Sequence, residues 1–77
     1  MESTNNDNFT IRAYSKKELA LLYFPDSMPT TAVRHMMATI RRCDMLWEEL
    51  LAMGYYPNRK TFTPREVMAI VKWLGAP

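Results

Sequence analysis

Few side chains in this chain could do chemistry, and those that gather are cations. Thr30, Thr31, Arg34, His35, Arg41 and Arg42 crowd one short segment. At helical spacing, Ala32, Val33, Met36, Met37, Ile40 and Cys43 form an apolar arc there. The opposite face then carries Thr31, Arg34, His35, Ala38, Thr39, Arg41 and Arg42, with no acid among them. A guanidinium pairs bidentately with guanine or with a phosphate, and a threonine meets a phosphate or a thymine methyl. The chemistry expected of this face is recognition of a polyanion. Lys16, Lys17 and Lys60 are expected to add phosphate contacts.

Catalysis has no comparable constellation. An active site needs a nucleophile with its base, paired carboxylates, a metal cluster or a phosphate-cradling glycine loop. His35 and Cys43 lie on different faces of the same helical segment, which disfavours a thiol–imidazole pair. Glu18 and Glu66 stand three residues after Ser15 and Thr63, the spacing of capping boxes rather than of an acid–base pair. A single cysteine and a single histidine cannot build a zinc site. No enzyme, cofactor or metal is therefore expected.

The elements that must position the cations can be read from caps and breakers. Ser15 caps a helix running to Phe24, with Tyr14 and Leu19 as its hydrophobic staple; Pro25 stops it. Leu19, Leu22 and Tyr23 share one face and Leu21 points elsewhere, so the helix reads as buried on nearly all sides, with Leu22 central. The turn PDSMP leads to a second helix capped by Thr30 or Thr31 and running to about Cys43. Asp44 caps a third helix over Met45–Met53, with Leu46, Leu50 and Met53 inward and Glu48 and Glu49 exposed, unless helices two and three are continuous. Gly54 closes it. Phe62-Thr63-Pro64-Arg65-Glu66-Val67 repeats the staple-and-cap device of Tyr14–Leu19 and opens a last helix. Its stripe is Val67, Ile70, Val71 and Leu74, and Gly75 ends it. Trp73 falls at the stripe's margin. Phe9–Ala13 alternates as a short strand with Phe9 and Ile11 inward, and Lys60–Phe62 is its candidate partner. Residues 1–8 are polar and Asn-rich and are expected to form a disordered tail, leaving 9–77 as one helical domain.

At 77 residues the core is small, and 48% hydrophobic content with 23% charge is ordinary for a globular chain. The net charge of +2 hides a polarity: basic excess over 12–42 and 59–77, acidic excess over 43–58. A lone thiol and no leader sequence lead us to expect a reducing cytoplasm, and no apolar run is long enough for a membrane.

The run IRAYSKKELALLYFP, then LLAMGY, then FTPREVMAIVKWLGAP resembles a family of small bacterial domains of unknown function, over about residues 9–77. The resemblance implies no activity and no functional residue. The ELA and FTP blocks are similar, more generically, to helix openings in winged and excisionase-like DNA-binding domains.

The expectation is a mostly α domain of three or four helices, helix-turn-helix-like, with a short two-stranded β ribbon. By analogy with that motif the second helix would enter the major groove of duplex DNA. The turn from Phe24 to Pro29 is longer than is usual for it. The alternative is a protein-interaction module or homodimer using Trp73, Tyr55 and Tyr56 as exposed aromatics.

Overall fold

The two capping motifs meet face to face. In the computed structural model, which describes residues 9–77, Tyr14 and Phe62 are direct partners in an antiparallel two-stranded ribbon. The ribbon consists of β1 (Tyr14–Ser15) and β2 (Thr61–Phe62). A helix springs from the end of each strand: α1 (Lys16–Tyr23) from β1 and α4 (Pro64–Leu74) from β2. Between them come α2 (Pro29–Arg42) and α3 (Asp44–Ala52). Among the described residues the domain is mostly α, with four helices and one small sheet. The expected tail over 1–8 lies outside the described residues.

Both capping boxes are closed. Ser15 Oγ accepts from the Glu18 amide at 3.0 Å, and Ser15 N donates back to the Glu18 carboxylate at 3.0 Å. Thr63 and Glu66 repeat the exchange at 3.3 and 2.9 Å. Each box satisfies two amides that would otherwise lack partners at a helix start. The staple residues Tyr14 with Leu19, and Phe62 with Val67, are buried.

Phe62 is the largest fully buried side chain, and the core gathers around it: Leu19 and Ala20 of α1, Ala32, Met36 and Ile40 of α2, Leu46 and Leu50 of α3, Val67 and Ile70 of α4. Each fully buried aliphatic or aromatic side chain contributes ~1.5–3 kcal/mol relative to exposure. Packing follows chain order, α1 on α2, α2 on α3, α3 on α4.

Five expectations about the elements and the core require correction. The strand is two residues long and starts at Tyr14, not Phe9; Ile11 is exposed and Phe9 stacks on Tyr14 with ring centroids 5.4 Å apart. Pairing begins where Tyr14 can be buried against Phe62, and the alternation upstream has no strand to pair with. Leu22 is not central: 46% of it is exposed, because α2 and the ribbon cover the side of α1 that carries Leu19 and Ala20. Neither Thr30 nor Thr31 caps α2. Met28 holds that place with no side-chain bond, and Pro29, whose fixed φ suits the first helical position, starts the helix. Asp44 is the first residue of α3 rather than its cap, and helices two and three are separate, since Cys43 between them is extended (φ −89°, ψ 94°).

Tyr55 is the fifth correction. It is 3% exposed, not a surface aromatic. Gly54, at φ 93°, lets the chain turn back after α3, with Gly54 N donating to Leu51 O and Tyr55 N to Leu50 O. This pair of bonds is a Schellman motif, which brings the residue after the glycine onto the helix's last turn. The turn drives Tyr55 inward beside Leu50 and onto the Phe62 ring, 5.4 Å between centroids. Among the described residues no helix is long and apolar enough to cross a membrane.

Candidate functional site

The ribbon decides which cations meet. Its backbone pairing extends by one bond, from Lys16 N to Lys60 O at 2.8 Å, so these two residues are held side by side. Lys17 follows in the first turn of α1. Ser15, Lys16, Lys17 and Lys60, with Val33 from α2, line an open groove of about 420 Å³, and among the described residues no carboxylate lines it.

The three lysines are not equivalent. Lys16 is half-buried: its ammonium donates to Pro57 O at 2.8 Å and sits 5.1 Å from the centre of the Tyr55 ring. Burial, and then the nearby Arg59 guanidinium, lower its pKa from the ordinary lysine value. Its ammonium therefore pins the loop between α3 and β2. Lys17 and Lys60 are exposed, and neither forms an ion pair among the described residues.

The arginine face of α2 divides in two. Arg34 and Arg41, seven residues apart, share a line about a quarter of a turn round the helix from Val33, with Met37 between. Arg41 lies over the Trp47 ring at 4.9 Å, and with Arg59 it acts on the buried Tyr55 hydroxyl, whose pKa is nevertheless raised, chiefly by burial. Arg34 and Arg41 are both exposed, and neither lines the lysine groove. His35 and Arg42 stand about half a turn round the helix from Val33. His35 packs against Phe24 at 5.7 Å, and Arg42 Nε reaches back to Ala38 O at 3.5 Å. Thr30 is exposed in the first turn of α2, and Thr31 beside it is half-buried. Of the α2 residues expected at the site, Thr30, Thr31, Arg34, His35, Arg41 and Arg42, none lines the groove.

Arg59 escaped the sequence reading. Its guanidinium pairs with the buried Glu66 carboxylate and lies between the Tyr55 and Tyr56 rings at 5.4 and 5.5 Å. Glu66 thereby serves both the cap of α4 and the loop that ends in Lys60. A loop cation has no periodicity to reveal it, and Glu66 was already accounted for by its cap. On the far side, Glu49 is half-buried rather than exposed. Trp73 Nε1 donates to it at 3.0 Å and Lys72 approaches to 3.0 Å, which holds its carboxyl below the usual range, the indole bond contributing most. Trp73, 40% exposed, is thus tied to α3. Among the described residues, no three His, Cys, Asp or Glu side chains come close enough to share a metal ion.

No curated protein and no solved structure matches the chain. A family model does match, over residues 10–77, under the description "Domain of unknown function (DUF4248)". That span takes in both capping motifs, the ribbon they build and every residue of the groove, and the chain belongs to the DUF4248 family of domains of unknown function.

Proposed function

We propose that this domain binds nucleic acid in the cytoplasm, duplex DNA in the first instance, through the basic side formed by α2 and the ribbon. One observation carries the reading: Lys16, Lys17 and Lys60 line one groove to which, among the described residues, no acid contributes. Cations so placed release counterions from phosphates, the main source of non-specific affinity. The α1–turn–α2 unit is helix-turn-helix-like in order, with Thr30 and Arg34 toward the start of the second helix, where such motifs reach base edges. His35 and Arg42 are peripheral contacts in this reading, and no residue has a catalytic role.

Binding of random duplex DNA across a salt series tests it. Affinity should fall as salt rises, and R34A/R41A should weaken every sequence and flatten the slope by up to about two. The absence of duplex binding at low salt would retire the proposal. A protein-interaction reading would then take its place, favoured by Met45, Met68 and Trp73, which are exposed on α3 and α4.

A further inference from the structure

The groove at the ribbon end holds a local conflict. Lys16 and Lys17 are the first two residues of α1, where positive charge opposes the helix dipole. Lys60 is fixed beside them by the Lys16 N–Lys60 O bond, so the backbone pairing brings three lysines to one end of the ribbon. Such local rule-breaking is expected where function compensates for it. The ligand-facing groups are complementary to one anion. Lys17 and Lys60 bring ammoniums that form no ion pair among the described residues. Ser15 Oγ accepts from Glu18 N, so its lone-pair side serves the cap while its O–H proton is free to donate into the groove it lines. Lys16 is committed to Pro57 O and contributes field rather than a bond.

We infer that this groove is a discrete site for a single phosphate group, held by the Lys17 and Lys60 ammoniums and the Ser15 hydroxyl, with Lys16 as the positioning residue that fixes the loop beneath it. The inference rests on the nucleic-acid reading for the source of the phosphate, a backbone diester, but not for the site itself, since a free phosphate or a small phosphorylated ligand offers the same oxygens.

Isotope-labelled full-length chain titrated with inorganic phosphate, against chloride at matched ionic strength, separates the possibilities. Amides of Ser15, Lys17, Lys60 and Thr61 should shift saturably with phosphate and not with chloride. K17Q/K60Q, with both changes at exposed positions, should abolish the response while circular dichroism stays that of wild type. Shifts equal in chloride, spread over all cationic residues or unchanged in K17Q/K60Q would overturn the site. In a second arm with random duplex DNA, the same amides should move, and K17Q/K60Q should lower the salt slope by about one, the value for one phosphate. Duplex binding that leaves these amides still would rule out a backbone diester as the source of the phosphate and overturn the groove as the nucleic-acid contact. Phosphate binding without duplex binding would uphold the site, assign it to a small ligand and sink that reading.

Discussion

Glu66 shows how much one residue can do in a chain this small. Its carboxylate is buried, accepts the Thr63 amide and pairs with Arg59. Removing one partner of a buried pair usually costs ~3–5 kcal/mol, because the other charge stays desolvated. Arg59 is 22% exposed, so R59M should fall near the lower end of that range in chemical denaturation. R59M/E66Q should recover much of the loss, since glutamine still completes a capping box. Tyr23 supplies a pH signature. Its hydroxyl donates to Gly75 O, and burial pushes its pKa up to about 12 from 10.0. A pKa higher in the folded state means that the protonated phenol stabilises the fold below pH ~10, and that this contribution is lost between about 10 and 12. Lys16, whose pKa is lowered, titrates in the opposite sense, so the comparison must be internal. Wild type should lose stability relative to Y23F over that interval.

At the scale of elements, α1 is where amphipathicity misleads. Its eight residues contain three leucines and a tyrosine, yet only Leu19 and Ala20 are buried. Leu19→Ala should cost ~2–5 kcal/mol and leave much of the chain unfolded, whereas Leu22→Ala should stay within about 0.5 kcal/mol of wild type. Equal effects in a thermal melt would show that the burial of α1 is misassigned. The ribbon is the complementary case. Two residues per strand are too few to be stable alone. It persists because each strand is also the entry to a capped helix, so its pairing, the staples and the caps form one unit.

For the whole molecule, charge is distributed against stability on one side and for it on the other. Lys17 and Lys60 line a groove with no acid among the described residues, whereas Glu49 draws Lys72 and Trp73 across α3 and α4. At low salt K17Q/K60Q should therefore melt above wild type, and the gap should close as salt screens the repulsion. A gap that ignores salt would place its origin elsewhere. Much of the architecture was legible in the sequence because it is written in local chemistry. Ser15–Glu18 and Thr63–Glu66 fix two helix starts, Gly54 and Gly75 two ends, and the apolar arc of α2 its buried face, each through contacts within about one helical turn. The basic character of α2 was legible for the same reason. What faces what was not. Periodicity gives a helix a stripe but not the width of its cover, so Leu22 read as buried and is exposed. Exposure of an aromatic after a glycine depends on where the Schellman turn sends it, so Tyr55 read as exposed and is buried. The meeting of Lys16 with Lys60 follows from the pairing of two distant strands. That pairing is set by Tyr14 finding Phe62, a contact between residues far apart in the chain that only the assembled core decides.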